Sequence, residues 1–392
     1  MEKAQSNASG KAKWTVMVYM AGDNNLDGAA LRDIAEMAKV GSTKDVNVLV
    51  QLDRIEDKLT RRFRITKGGG FKKDCIESFG ESNTGDPQAL CDFVKWATDN
   101  YPADRHCLIL WNHGSGWWEE DKGRANDPGR KKRRHLFRHP IMQENRSICY
   151  DDTSNGDALD NRELKTVLTA ICTLLGKKID HLGMDACLMN MVEVAYQLRN
   201  SVNYIVGSEI EEPFDGWPYT EILTYLTANT TKDTATFASE IVKRYIASYK
   251  GQGETVTQSA LNVSRIADLT TKVDALADTL SASLKDASAL VTNALRHSPR
   301  FYDDNYVDLA CFAKSLQKKA SADIQVKAAD LLAALKPGKG KAILNQGKIG
   351  REVSGCCGLS IYFPAYRINS AYQHLDFATD CKWFDFLKRC LA

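Results

Sequence analysis

The feature that most constrains the fold of this chain is a recurring pair of elements, a short continuous apolar run followed by a longer amphipathic stretch. The apolar runs are WTVMVYM, DVNVLVQLD, HCLILW, IDHLGMDAC and NYIVGSE. Strands that are apolar throughout are typical of a parallel sheet covered on both faces, because right-handed crossover connections place helices on either side of it. The sequence therefore predicts an α/β fold with a mostly parallel central sheet.

The periodicity divides the chain into regions. A flexible polar arm covers residues 1–13, the sheet domain covers 14–262, and a mainly helical C-terminal region covers 263–392. Within that last region the segment LSIYF has the composition of a strand, and we expect it to return to the central sheet. Residues 118–147 show no periodicity and many charges, which predicts a long exposed loop inside the sheet domain.

Composition excludes several classes of protein. Fifty-two basic and 50 acidic side chains give a net charge of +2, so no global field attracts nucleic acid or an anionic membrane. No apolar run approaches the roughly 18 residues of a membrane span, and the opening residues are too polar for a signal peptide. As written, the chain is expected in the cytoplasm, or in a secreted or periplasmic location if a leader precedes it.

Two of the apolar runs end in residues suited to catalysis. LILWNHGSG places His113 and Gly114 after one strand, and HLGMDACLMN places Asp185 and Cys187 after another. The carboxyl ends of parallel strands meet at one edge of a sheet, so we expect these residues to lie together. A cysteine at a helix N-terminus beside a histidine has a lowered thiol pKa. The alternative is that Cys187 is a small core residue and His113 only satisfies a backbone group.

The same loops predict an oxyanion site. Gly114 has no side chain, so its N–H can approach a substrate carbonyl closely, and the N–H of Cys187 is a second donor. No C-x-x-C pair occurs among the eleven cysteines, so they predict neither a zinc cage nor a thioredoxin-type redox site, and no metal site is predicted. The residues therefore point to a cysteine-protease site that needs no cofactor.

Several motifs of the sequence resemble those of a known family. HGSGW, MDAC, WTVMVYMAGDNNLD, YDD at 150–152 and DGWPY at 215–219 are similar to the clostripain family of cysteine peptidases, in the caspase-like clan. The resemblance covers roughly residues 14–220, and CCGLSIYFP is a weaker late match. It implies a caspase-like α/β/α sandwich and a hydrolase whose catalytic dyad is His113 and Cys187. The rival hypotheses are an inactive relative that binds basic peptides, and a peptide ligase acting through the same acyl-enzyme.

The resemblance also implies protein or peptide substrates that are cleaved after Arg, and often after Lys. An acidic pocket is needed to hold that cation. Asp185 lies two residues before Cys187, on the same side of a strand, and Asp215 matches the acidic position of DGWPY. N-capping of a helix is the alternative role for Asp185.

Members of this family are commonly made as one chain and cut between the His and Cys elements. The segment GRKKRRHLFR supplies basic residues there, and the candidates for self-cleavage are Arg146, Arg134, Arg133, Lys132 and Arg138. A two-chain protein made from one zymogen precursor is expected. Basic runs also occur in nucleic-acid and nuclear-localisation patches, but interleaved aromatic residues are nearly absent here.

Calcium is a further association of the family, so the acidic loops were compared with the EF-hand template. The loop that begins at Asp23 has Ile34 at its twelfth position, and the loop that begins at Asp151 has Arg162 there. The template requires a bidentate Glu at that position. Neither loop is therefore predicted to bind calcium as an EF-hand, and the sequence does not locate a calcium site.

Overall fold

The computed structural model describes residues 11–117, 147–302, 304–318 and 320–391, without the side chains of 285 and 286. The strands are β1 Ala12–Gly22, β2 Val46–Arg54, β3 Leu59–Arg64, β4 Cys75–Gly80, β5 Ala103–Trp111, β6 Ile148–Asp151, β7 Asp157–Leu159, β8 Ile179–Asp185, β9 Val202–Gly207, β10 Val256–Asn262, β11 Arg300–Phe301, β12 Tyr306–Asp308, β13 Ile343–Ile349 and β14 Ser360–Tyr362. The α-helices are α1 Asp27–Val40, α2 Pro87–Asn100, α3 Asn161–Leu175, α4 Val192–Gln197, α5 Tyr219–Ala228, α6 Thr234–Ser248, α7 Ile266–Ala282, α8 Leu284–Arg296, α9 Leu309–Gln317, α10 Ala322–Ala334, α11 Asp376–Asp380 and α12 Trp383–Cys390. None of the helices in these ranges is long and apolar enough to cross a membrane.

Nine of these strands form the central sheet, in the order β13-β10-β9-β8-β5-β1-β2-β3-β4. The five middle strands, from β9 to β2, run parallel to one another. The two strands at each end pair antiparallel. The predicted α/β class is confirmed, and the central sheet is mixed, with its parallel strands in the middle.

Helices cover both faces of the sheet, which explains why its middle strands are apolar throughout. Along β5, Leu108 and Leu110 belong to one hydrophobic core, and Ile109 and Trp111 belong to the core of the opposite face. Helices α1, α5 and α6 pack on the second face, while α2, α3 and helices of the C-terminal region cover the first. Because successive side chains of a strand point to opposite faces, both sets must be apolar.

Side chains of Asp86 and Asp160 cap the N-termini of helices α2 and α3. The Asp86 side chain accepts a hydrogen bond from the Gln88 N–H at 2.8 Å at the start of α2, with Pro87 in the first turn. Asp160 and Glu163 form a reciprocal capping box at the start of α3. These caps fix the direction in which the crossover helices leave the sheet.

The expectation that LSIYF returns to the central sheet is wrong. Its residues form β14, which pairs with β12 in a separate three-stranded sheet. The buried carboxylate of Glu193 accepts a hydrogen bond from the Tyr362 N–H at 2.9 Å, and this contact holds the segment beside α4. The C-terminal strand that joins the central sheet is β13, which pairs antiparallel with β10.

Candidate active site

The structure brings the loops of His113 and Cys187 together at the carboxyl edge of the sheet. β5 and β8 are neighbours, and their register pairs Trp111 with Asp185, so His113 and Cys187 are each two residues beyond that last pair. A Cβ atom at position 114 would collide with the carbonyl oxygen of Cys187. Only glycine therefore allows the histidine loop to approach the cysteine loop this closely.

The imidazole of His113 is oriented by a residue that the sequence did not reveal. Its Nε2 lies 2.7 Å from the side-chain oxygen of Asn25, in the loop between β1 and α1. An amide oxygen only accepts hydrogen bonds, so Nε2 carries the proton and donates. The ring of Tyr150 stands edge-on to the imidazole, with centroids 6.5 Å apart. Nε2 is thus engaged with Asn25, and Nδ1 is the second nitrogen of the imidazole.

A buried amide network joins the three segments around His113. The side-chain NH₂ of Asn24 donates to the carbonyls of Ala21 and Tyr150, each at 2.9 Å. The Asn112 side-chain oxygen accepts from the Tyr150 N–H at 2.8 Å. The motifs AGDNNLD, NHGSG and YDD are thus packed into one unit, and this unit sets the position of the imidazole.

Cys187 lies in a turn and not at a helix N-terminus, so one sequence expectation is wrong. Helix α4 begins only at Val192, and Leu188 adopts a left-handed φ of 66° directly after the cysteine. The Glu212 N–H donates to Sγ at 3.2 Å. Burial, with the nearby charge of Glu211, raises the pKa of the thiol to about 12, where a lowered value was expected.

Asp185 lies beneath Cys187 in a buried acidic pair with Glu212, a second residue that the sequence did not reveal. The Asp185 carboxylate accepts a hydrogen bond from the Tyr219 hydroxyl at 2.8 Å. Burial and the neighbouring carboxylate raise the pKa of Glu212 well above its usual range, and burial raises that of Asp185 to about 6. The alternative role of Asp185 as a helix cap is wrong, because Met191 holds that position before α4.

Asp215 occupies the outer side of the same site. It is exposed, in the loop that joins β9 to α5. The next residue, Gly216, has a φ of 56°, and a Cβ there would lie 3.2 Å from an Asp185 carboxylate oxygen. The loop therefore covers the buried pair and presents Asp215 to solvent above it.

The two residues proposed as oxyanion donors, Gly114 and Cys187, lie where the two loops are in contact. Outside the helix and strand ladders of the described residues, the N–H groups of Gly114 and Cys187 donate to no main-chain acceptor. The five candidates for self-cleavage, Arg146, Arg134, Arg133, Lys132 and Arg138, lie outside the described residues.

Asn25 and Glu212 belong to segments that the sequence had singled out, AGDNNLDG and IEEPFDGWPY. Their side chains reach the site only through the folding of two separate loops onto the sheet edge. The sequence therefore indicated the two segments, but it did not indicate which residue of each segment lies in the site.

Comparison with known proteins agrees with this geometry. Residues 18–389 match the model of the clostripain family. The chain belongs to that family. Clostripain from Hathewaya histolytica is 32% identical over 223 residues, a match that covers 50% of this chain and 38% of clostripain itself. The chain thus matches well under half of the length of that relative.

Two solved structures have the same fold over nearly the whole chain. A secreted cysteine protease from Bacteroides thetaiotaomicron, in complex with an irreversible peptide inhibitor, aligns with a TM-score of 0.67 at 22% identity and covers 96% of this chain and 99% of its own. An inactive zymogen protease from Parabacteroides distasonis aligns with a TM-score of 0.68 at 20% identity, covering 95% and 99%. The likeness supports the caspase-like α/β/α fold.

Proposed function

We propose that this protein is a cysteine endopeptidase that cleaves after Arg or Lys through an acyl-enzyme on Cys187. The observation that carries this proposal is the direct contact between the His113–Gly114 loop and the Cys187 backbone at adjoining strand ends. Membership of the clostripain family supports the same reaction class.

The chemistry follows from the environment of each group. A thiol whose pKa is near 12 is protonated at neutral pH, so its proton must leave as Sγ bonds to the carbonyl carbon. Nδ1 of His113 takes that proton, because Nε2 donates to Asn25. The imidazolium then gives the proton to the leaving amine as the C–N bond breaks, and water releases the acid and restores the thiol.

The oxyanion of the tetrahedral intermediate lies between the N–H groups of Gly114 and Cys187. Each preorganised donor of this kind contributes about 10²–10³ to the rate in related chemistry. The contact between the two loops holds both residues close to each other, which supports this assignment.

Specificity for a basic side chain is assigned to the acidic residues beside the thiol. Asp215 is exposed and meets the guanidinium or ammonium group first. The buried pair of Asp185 and Glu212 lies behind it, and a bound cation stabilises the ionised form of both carboxyls. A neutral substrate side chain does not stabilise the ionised carboxyls in this way.

The raised thiol pKa also favours a second hypothesis, an inactive relative that binds basic peptides without cleaving them. An arginine chloromethyl ketone separates the two hypotheses, because it alkylates a catalytic thiol. We expect Cys187 to be labelled in the wild type, as seen by peptide mass analysis, and labelling to be about 100-fold slower in His113→Ala.

Cys172→Ala is the matched control, since Cys172 is a partly buried thiol outside the site, and it should be labelled like the wild type. Unlabelled wild-type protein would support the binding hypothesis. Labelling at a cysteine other than Cys187 would place the nucleophile elsewhere.

A further inference from the structure

Two cysteines and two carboxyls from separate segments meet in a buried cluster outside the proposed catalytic machinery. Asp308 ends β12, Cys311 lies in the first turn of α9, Cys356 lies in the loop before β14, and Glu209 follows β9. One carboxylate oxygen of Asp308 and the sulfurs of Cys311 and Cys356 all lie within 4.8 Å of one another. The fold therefore gathers two thiols and a carboxylate around one point.

The carboxyls of this cluster lack the cationic partner that buried carboxylates usually require. Asp308 and Glu209 are 0% exposed, and both cysteines are buried beside them. Among the ion pairs of the described residues, none includes Asp308 or Glu209. Like charges brought together without water are unfavourable unless a cation or protons neutralise them.

Glu209 also has an oxygen that no donor in the described residues satisfies. Its Oε1 accepts a hydrogen bond from the Gly358 N–H at 3.0 Å, whereas Oε2 is buried and has no hydrogen-bond partner. The carboxyl lies against that of Asp308, and burial together with the charge of Asp308 raises the pKa of Glu209 well above its usual range. A buried acceptor without a donor is unfavourable, so this oxygen calls for a partner.

Main-chain donors hold the Asp308 carboxylate in place. Its Oδ1 accepts from the Cys311 N–H and its Oδ2 from the Cys357 N–H, each at 2.7 Å. Each carboxylate oxygen keeps a further lone pair, and hydrogen bonds of this kind orient the carboxylate ligands of metal ions. The Lys348 ammonium group donates to the Cys356 carbonyl, which places one positive charge beside the cluster.

We propose that Cys311, Cys356, Asp308 and Glu209 form a Zn²⁺-binding site. Thiolate sulfur favours zinc over calcium and magnesium, and zinc also accepts carboxylate oxygens. Bond lengths of about 2.3 Å to sulfur and about 2.0–2.2 Å to oxygen place tetrahedral ligand atoms roughly 3.4–3.8 Å apart. The separations of 4.8 Å or less reach this range through small side-chain rotations.

Zinc binding at this site releases protons. Both thiols and the Glu209 carboxyl give up a proton when they bind the ion, so the ligands carry four negative charges. Zinc neutralises two of these charges and Lys348 offsets a third. The N–H groups that donate to Asp308 and Glu209 face the charge that remains.

The cysteine spacing gives no sign of this site. Cys311 and Cys356 belong to different elements, and each of the four ligands comes from a separate segment, so no C-x-x-C pair marks them. The two thiols are also close enough for a disulfide after oxidation. A disulfide would leave Asp308 and Glu209 without a cation, whereas zinc accounts for all four groups.

The zinc site is connected to the loop that contacts Cys187. Glu209 lies in that loop, whose Ile210 carbonyl accepts from the Leu188 N–H at 3.0 Å and whose Glu212 N–H donates to the Cys187 sulfur at 3.2 Å. Bound zinc therefore ties this loop to α9 and to the segment before β14. None of the zinc ligands belongs to the proposed catalytic machinery, so the site does not depend on the proposed activity.

Titration of ZnCl₂ into metal-stripped, reduced, full-length Cys187→Ala protein, in competition with a chromophoric chelator, tests binding without any peptidase activity. We expect one Zn²⁺ per chain with a Kd below about 1 µM, no competition from CaCl₂ or MgCl₂, and a rise in the unfolding temperature. Co²⁺ in place of Zn²⁺ should give a thiolate-to-metal charge-transfer band.

The mixtures need long equilibration. Cys311 lines a surface cavity of about 450 Å³ through which an ion can reach the cluster. Lys314 and Lys318 line the same cavity, and their charges slow the entry of a cation.

Cys311→Ser and Cys356→Ser should each weaken Zn²⁺ binding at least about 100-fold, because loss of a ligand costs more than the roughly 10- to 100-fold of an outer-shell change. Each should also weaken the Co²⁺ charge-transfer band. Cys381→Ser changes a buried thiol at the end of α11 and should bind zinc like the parent protein. Far-ultraviolet circular dichroism should match the parent in all three variants.

The Co²⁺ spectrum of the parent protein needs no change at a ligand, so it tests the site even if a serine variant does not fold. Absence of Zn²⁺ binding to the reduced parent, a Co²⁺ complex without the thiolate band, or unchanged affinity in both serine variants would overturn the site. A Cys311–Cys356 disulfide in unreduced protein, with no zinc binding after reduction, would assign the pair to redox chemistry instead. Zinc binding in wild-type protein that the arginine probe does not label would leave the site standing while the proposed peptidase activity fails.

Discussion

At the scale of single residues, the proposed mechanism makes the thiol of Cys187 depend on His113. The pKa of Cys187 is raised by burial and by the charge of Glu211, so little thiolate exists before substrate binds. In the proposed mechanism, a substrate cation beside Asp215 and the buried acidic pair would neutralise part of that negative charge and make proton transfer to His113 easier. The proposal therefore couples substrate recognition to activation of the nucleophile through the same carboxylates.

Asp215→Ala tests this coupling. We expect kcat/KM for an arginine peptide substrate to fall about ten- to a hundred-fold, since a charge-assisted contact contributes roughly 1.5–3 kcal/mol. Alkylation of Cys187 by neutral iodoacetamide should change little. Asp268→Ala, which removes an exposed carboxylate on α7, should keep the full preference for arginine. An Asp215→Ala enzyme with an unchanged ratio of arginine to neutral cleavage would place the pocket elsewhere.

At the scale of elements, α4 shows how one buried side chain directs the path of the C-terminal region. Glu193 accepts from the Tyr362 N–H and from the Tyr372 hydroxyl, each at 2.9 Å. The carboxyl is 0% exposed, and burial raises its pKa to about 7. These two contacts, and not strand composition, decide that β14 lies beside α4.

Glu193→Gln should change the pH dependence of stability. Because the folded-state pKa is raised, the protonated carboxyl stabilises the fold fully below its ordinary value near 4.5, and this contribution is lost as pH rises to about 7. The unfolding free energy should fall by on the order of 3 kcal/mol, at about 1.4 kcal/mol for each unit between the ordinary and the folded-state pKa of Glu193. Glutamine keeps the acceptor oxygen and cannot ionise.

Urea unfolding at pH 5 and pH 8 measures this effect. The difference in unfolding free energy between the two pH values should be smaller in Glu193→Gln than in the wild type, and Glu221→Gln, at an exposed position on α5, should behave like the wild type. An identical pH dependence in all three proteins would show that Glu193 is not protonated in the folded state.

The parts of the fold that depend on local sequence could be predicted, and those that depend on distant packing could not. Apolar runs predict the central strands, and Asp86 and Asp160 cap the helices that begin directly after them, because these signals act within a few residues. The turn at Leu188, which separates Cys187 from α4, leaves no such pattern. The contact between Asn25 and His113 depends on the packing of two loops from different strands, which periodicity does not encode.

At the scale of the whole molecule, the described segments on both sides of residues 118–146 are held together in one core. The Ser115 N–H donates to the Ser147 carbonyl at 3.0 Å, and the Ser147 hydroxyl donates to the Gly116 carbonyl at 2.7 Å. Ser115 and Gly116 thus lie beside Ser147, close in sequence to His113. β5 and β8, which precede and follow the segment, are neighbours in the middle of the sheet.

This connection leads to the prediction that the protein cuts its own chain within 130–146, most readily after Arg146, with the basic cluster at 130–134 as the next choice. A segment tethered on both sides of the candidate site has an effective concentration of about millimolar there, and it offers the basic residues for which the acidic pocket is proposed. The two products should remain associated, because β5 and β8 stay paired in the sheet.

Denaturing gels should show two chains for the wild type and for Cys172→Ala, and one chain for Cys187→Ala and His113→Ala. Size-exclusion chromatography should give the same elution volume for all four proteins. Cleavage of Cys187→Ala to the same extent as the wild type would assign the cut to another protease, and an uncut wild type that still reacts with the arginine probe would show that activity does not require the cut.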